Sequence, residues 1–264
     1  MTAVVLHRSG TGTLPPCPEW LAVLGRDPVL VTDVPGTGVP GAPAGYSEVR
    51  HVGRYASADA ETTVLDLARH RTVTAVLALH PADQVRAGAL RDALGLPGQT
   101  RDEALVLVDA VAAHALLGRA GVPVTERADV RRILDLYRAA HVWGYPLAVR
   151  RRRTPGREVV AVLRDETGLR AFARGGLTDG PVAAVPGLMV EPYGAQERHE
   201  GPGLPVTDAV SAVLPPDPGH PYVVEAVRRP GGAWRVDGVR YRPGDPRAQV
   251  RAQAAAAARA VEVA

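Results

Sequence analysis

The chain has 264 residues, long enough for a sizeable core and two small domains, and 46% hydrophobic with 22% charged residues is a globular rather than a disordered composition. Lys plus Arg number 31 against 28 Asp plus Glu, a net charge of +3 that does not by itself imply a polyanionic partner. The single cysteine, Cys17, excludes an intramolecular disulfide and any multi-cysteine zinc site.

Every basic residue is arginine. The sequence contains no lysine and no asparagine, and only one isoleucine (Ile133) and one phenylalanine (Phe172). GC-rich coding accounts for this bias, but the chemical consequence stands: no lysine can hold a phosphate and no asparagine can ligate a metal. "MTAVVLHRSG" has no basic segment leading into a long apolar run, so no signal peptide is expected. No stretch approaches the roughly 18 apolar residues of a membrane-spanning helix. The expectation is a cytoplasmic protein without a membrane partner.

In chain order, "AVVLH" (Ala3–His7) reads as a strand followed by the Ser-Gly-Thr-Gly loop, whose lone Gly-x-Gly is most simply a turn. Pro18–Gly25 suits a short helix, Pro28–Val34 a second strand, and 35–45 a Gly/Pro-rich loop. Glu48–Tyr55 reads as a third strand. Asp59–Arg71 reads as a helix with Asp59 as N-cap and an apolar face of Val64, Leu65, Leu67 and Ala68. Val73–Leu79 is a near-continuous apolar run, the pattern of a strand buried on both faces. The next helix, "ADQVRAGALRDALG", is stopped by Gly95 and Pro97. This alternation predicts a small parallel sheet covered by helices.

From residue 101 the pattern changes. Arg101–Gly121 reads as one long helix, and Asp129–Trp143 as an amphipathic one. "YPLAVRR" and "REVVAVLR" read as strands joined by a turn at Thr154–Gly156, Asp165–Gly176 as a helix and Gly187–Tyr193 as a strand. Residues 194–246 give weaker signals, with "PYVVEAV" and "AWRVDGVRY" as strands. A last helix follows, with Asp245 as N-cap and Pro246 in its first position.

The order of these pieces resembles the ATP-grasp superfamily, whose members typically join a carboxylate to an amine through an acyl-phosphate. The resemblance rests on "LGLPGQTRDEALVLVDAVAAHALLGRAGVPV", "GYPLAVRRRRTPGREVVAVLRDETGLRAF" and "GLMVEPYGAQERHE", together about residues 94–200. It implies an α/β chain: a small parallel-sheet domain over 1–100, then a partial ATP-grasp α+β domain over 101–264. ATP and Mg²⁺ would be the cofactors, with a small carboxylate and an amine as substrates.

Residue by residue, the resemblance puts Arg150 where the family has a phosphate-binding lysine. Gly156 is the surviving small residue of the loop that follows, in which Pro155 has no N–H to give and Glu158 would repel phosphate. The family's Asp-Lys pair on the long helix becomes Asp109-Ala110, with His114 one turn away. Backbone groups near Val190 and the carboxylate of Glu191 match the adenine hinge, and Glu197 the carboxylate on the ribose. The family's magnesium ligands, a Glu and then a Glu-x-Asn on a late strand, have no counterpart. The expectation is that the chain is cut short before that strand or has dispensed with it. A grasp without it leaves apolar surface uncovered, implying a homodimer or a complementing subunit.

Simpler readings stand beside these. Strand periodicity puts Arg150 and Arg152 on one face and Arg151 and Arg153 on the other, so the run reads equally as a solvated strand end. With 4% aromatic residues and no basic stripe, no nucleic-acid partner is expected. Glu191 and Glu197 read as nucleotide-facing or as ordinary surface carboxylates. Asp208, Glu225 and Asp237 are weak metal candidates, and the scattered histidines show no metal-ligand spacing. Two functions follow: an impaired or incomplete ATP-dependent carboxylate–amine ligase, or a non-catalytic pseudoenzyme that serves as a binding or interaction module.

Overall fold

The structure is a computed structural model that describes residues 1–9, 27–34, 45–78, 80–153, 157–175, 187–194, 197–229, 231–242, 248–249 and 251–256. The expected helix at Pro18–Gly25, the turn at Thr154–Gly156 and the helix start at Asp245 and Pro246 lie outside the described residues. The chain divides into two compact units. The first comprises Met1–Leu105, Pro216–Tyr222 and Tyr241–Ala264, and the second Val106–Pro215 and Val223–Arg240.

In the first unit, β1 (Thr2–His7), β2 (Asp27–Thr32), β3 (Glu48–His51) and β4 (Val73–Ala78) form a parallel sheet in the order β3-β2-β1-β4. β1 is buried along its whole length, because both of its faces are covered. The period of two sorts its residues. Val4 and Leu6, with Val29, Val31, Val76 and Ala78, pack on α1 (Asp59–His70) and α2 (Gln84–Leu94) through Val64, Leu67 and Leu90. Ala3 and Val5, with Leu30, Ala75 and Leu77, form the core of the opposite face, which includes Ala254 from the helical residues 251–256. That packing is why residues beyond 240 belong to a unit begun at the N-terminus.

The helix ends show where local chemistry decides. Asp59 is the first helical residue of α1 rather than its cap: Ala58 holds the cap position, and the Asp59 N–H donates to Ser57 Oγ at 3.2 Å. α2 ends as expected at Gly95, whose φ of +63° puts it in the left-handed region that glycine adopts without a Cβ penalty.

Residues 101–121 are not one helix. α3 (Arg101–Val106) stops, and α4 (Ala110–Arg119) starts afresh because Asp109 Oδ1 accepts from the N–H groups of Val111 and Ala112 at 3.0 and 3.2 Å. The apolar periodicity of the segment runs through this break, so only the capping geometry reveals it.

The second unit holds two antiparallel sheets. β5 (Ala128–Val130), β6 (Leu147–Arg151), β7 (Val159–Leu163) and β8 (Leu188–Pro192) are ordered β5-β8-β6-β7. α5 (Ile133–Trp143) and α6 (Glu166–Gly175) supply Leu136, Ala139 and Leu169 to a core with Leu147, Val149, Leu163 and Val190. The helix read from Asp129 begins four residues later, because 128–130 pair with β8 as a strand.

The other sheet is β9 (Glu197–Glu200), β10 (Tyr222–Arg228) and β11 (Trp234–Tyr241), in the order β11-β10-β9. α7 (Thr207–Val213) precedes β10. β9 and α7 have no strong sequence signal; "ERHE" has no apolar residue and is a strand only through pairing with β10. Among the described residues, no helix is long and apolar enough to cross a membrane.

Candidate functional site

A cluster of ion pairs in the second unit centres on Arg127, whose side chain is 1% exposed. Its Nη2 donates to Glu191 Oε2 at 3.1 Å on β8, to Asp237 Oδ1 at 3.0 Å on β11 and to Thr125 Oγ1 at 3.4 Å. Thr125 is brought there by the sheet edge, since its N–H donates to the Val236 carbonyl at 2.9 Å. Burial pushes the Arg127 guanidinium below its ordinary value, and the neighbouring charge of Arg157 adds to that.

Arg157 joins the late strands. Its Nη2 donates to Glu225 Oε2 at 2.5 Å on β10 and to Asp237 Oδ2 at 2.7 Å, and its Nη1 donates to the Asp237 carbonyl at 2.8 Å. Its backbone has φ +50°, in the left-handed region uncommon for a residue with a Cβ. Arg240 closes the other side of Glu225, donating from Nε to Oε1 at 2.6 Å, and reaches Glu200 Oε2 from Nη2 at 2.7 Å.

Gly238 lies against the same carboxylate: a Cβ there would sit 3.3 Å from Glu225 Oε2. Arg198 completes the group, with Nε 3.2 Å from Asp237 Oδ2 and a side chain 46% exposed. Burial pushes the Asp237 carboxyl up, but Arg157, Arg127 and Arg198 together outweigh it and hold the group below its usual value.

Of the residues expected to contact nucleotide, Arg150 and Glu191 are brought together, with Arg150 Nε 2.6 Å from Glu191 Oε1. Val190 is fully buried in the sheet, opposite Ala128 on one side and Val149 on the other. Glu197 is exposed on β9, with Oε1 3.5 Å from His199 Nε2. Gly156 lies outside the described residues. Arg127, at the centre of the group, carries no sequence signal in "VPVTERADV"; only its burial singles it out.

The four arginines at 150–153 do not form a free basic patch. Arg151 pairs with Glu158 at 3.1 Å. Arg152 donates to both oxygens of Asp109 at 2.8–3.0 Å and to Asp129 Oδ1 at 2.6 Å, and Arg153 Nε donates to Asp109 Oδ2 at 3.0 Å. The expected alternation of faces fails at Arg153, because β6 ends at Arg151 and both later side chains reach Asp109. Asp109 therefore caps α4 and pairs with two arginines at once. Burial pushes its carboxyl up; the bonds from Arg153, Arg152 and the Ala112 N–H outweigh this and bring it down.

The magnesium implied by the family resemblance does not fit these residues. Among the described residues no group of three or more His, Cys, Asp or Glu is placed to hold a metal ion. The late-strand carboxylates, Glu225 and Asp237, are engaged by guanidiniums on both oxygens. Asp208 sits apart in the exposed first turn of α7. Counting side chains, Arg127, Arg150, Arg157, Arg198 and Arg240 face Glu191, Glu200, Glu225 and Asp237, one more positive than negative charge.

With its small parallel-sheet unit and a second unit of antiparallel sheets, the chain is similar in fold to solved ATP-grasp proteins. It is similar to a RimK domain protein ATP-grasp from Sphaerobacter thermophilus, at 18% identity and a TM-score of 0.53, over 96% of this chain and 97% of that one. It is similar also to N5-carboxyaminoimidazole synthetase from Staphylococcus aureus complexed with ADP, at 12% identity and a TM-score of 0.61, over 97% and 76% of the two chains. The biotin carboxylase domain of 2-oxoglutarate carboxylase from Hydrogenobacter thermophilus, in complex with MgADP, ADP and bicarbonate, matches at 15% identity and a TM-score of 0.64, over 97% and 69%. No protein-family model and no curated protein matches the sequence.

Proposed function

We propose that this chain is an ATP-grasp protein that binds an adenine nucleotide without metal-dependent turnover and serves as a binding module rather than as a carboxylate–amine ligase. The observation that carries the reading is Arg157, whose guanidinium lies between Glu225 and Asp237, the late-strand carboxylates, and takes up the negative charge that a cation would need. Nucleotide binding is supported by the fold, since the structural relatives from S. aureus and H. thermophilus hold ADP or MgADP.

In this reading the adenine lies by the β8 strand at Val190 and Glu191, the ribose near Glu197, and the phosphates at Gly156, Arg150, Arg198 and Arg240. Arg198 and Arg240, partly exposed, can exchange a carboxylate for a phosphate oxygen, and a guanidinium grips phosphate in two places at once. Without a cation to neutralise charge developing on the transferred phosphoryl group, the acyl-phosphate step loses its main electrostatic support.

Calorimetric titration with ATP and with ADP, in excess Mg²⁺ and in EDTA, tests the reading beside an assay for ADP release with mixed amino acids. The expected result is binding of similar affinity under both conditions and no ADP release. Magnesium-dependent ADP release would restore the ligase, and absence of binding under both conditions would remove the nucleotide.

A further inference from the structure

Arg91, on α2 of the first unit, is a buried cation without a carboxylate. Its residue is 3% exposed, Nε donates to the Gln99 carbonyl and Nη1 to the Val76 carbonyl, each at 2.8 Å, and Nη2 is buried with no partner. No Asp or Glu among the described residues forms an ion pair with it. A guanidinium out of water satisfied only by carbonyls is costly, because carbonyl dipoles do not neutralise its charge.

A second unsatisfied group lines the same pocket. His220, 4% exposed, has Nδ1 2.6 Å from Asp217 Oδ2, while its Nε2 is buried with no partner. Asp217, Gln99 and Gln253 share the lining. Gln253 is already committed, its Nε2 donating to the Gly219 carbonyl at 2.9 Å, and Gln99 Oε1 accepts from Tyr241 Oη at 2.5 Å. Two orphaned nitrogens therefore remain, one of them charged. Buried polar groups in folded proteins are almost always paired, so two residues with unpaired nitrogens lining one pocket point to something that fills it.

We propose that this pocket is a binding site for a small oxyanion of carboxylate size, held between Arg91 Nη2 and His220 Nε2. An imidazolium in this position donates to Asp217 from Nδ1 and to the anion from Nε2, so Arg91, His220, Asp217 and the anion together carry no net charge. The pocket encloses about 30 Å³, room for about two or three water-sized groups, which admits formate, acetate or nitrate and excludes a nucleotide. The site is distinct from the arginine–carboxylate group of the second unit and does not depend on the function proposed for that group.

Titration of the full chain with sodium formate, at constant ionic strength set by sodium chloride, tests the proposal through thermal melting and the ¹⁵N shifts of the Arg91 Nε and His220 ring signals. The expected result is a saturable rise in Tm with matching movement of both signals. In H220Q, half-saturation moves to about tenfold higher formate, the loss of one charge-assisted hydrogen bond. R91Q removes the saturation altogether, and H220Q alone decides the matter if R91Q does not fold. No saturable response beyond chloride, with formate, acetate and nitrate each tried, would mean that water fills the pocket and overturn the proposal. So would an unchanged response in H220Q.

Discussion

Arg150 Nε lies 2.6 Å from Glu191 Oε1 across the β6–β8 pair, where Glu191 stands opposite Ala148, two residues before Arg150. Residues two apart on a strand share a face, so the contact is a diagonal cross-strand pair fixed by register. Glu191 Oε2 is in turn held by Arg127, which places this carboxylate between two guanidiniums.

Arg127 is the group on which this arrangement most depends. Replacing it with alanine leaves Glu191 and Asp237 buried with one fewer partner each, and R127A is expected to lose about 3–5 kcal/mol of stability. Urea unfolding of R127A beside E191Q checks this; E191Q keeps the shape and removes a charge, and should cost less.

Asp109 does two jobs. D109A removes the α4 cap, at about 0.5–2 kcal/mol, and also the carboxylate shared by Arg152 and Arg153. D109S restores a capping oxygen without the charge. Melting temperatures should therefore rank wild type above D109S and D109S above D109A.

Gly88 admits no side chain. A Cβ at this position would come within 2.6 Å of Arg101 N and 2.7 Å of Thr100 O, both backbone atoms that cannot swing away. G88A, a change that usually favours a helix, should here destabilise the chain by about 1–3 kcal/mol in chemical unfolding.

Burial lowers the affinity of His114 and His80 for protons. Around His114 the Thr125 carbonyl opposes burial and Arg127 reinforces it; around His80, Asp83 opposes and Arg8 reinforces. The unfolded chain takes up protons at these residues near the ordinary histidine value of about 6.5, while the folded chain does so only at lower pH. The unfolded state thus binds more protons in between, and stability should fall as pH drops below about 6.5. Unfolding free energies at pH 7.5, 6.5 and 5.5 measure the slope, which H114Q should reduce.

Much of the fold was legible in local pattern. The apolar runs read as strands contain β1, β2 and β4, which are largely buried, and Gly95 ends α2 where its sequence places the stop. Segments whose structure comes from distant partners were not. β9 has only polar residues and exists through β10, and the break at Asp109 hides inside an uninterrupted helical periodicity.

By itself the sequence determined that strands and helices alternate along the chain, that arginine stands in place of every lysine, and that no lysine or asparagine can serve a phosphate or a metal. Only the tertiary structure decided what the arginines do. Arg150, Arg152 and Arg157 meet carboxylates 41, 43 and 80 residues away, on other elements of the second unit. Such pairing leaves no periodic trace, because charge is neutralised through space and strand register brings the partners together.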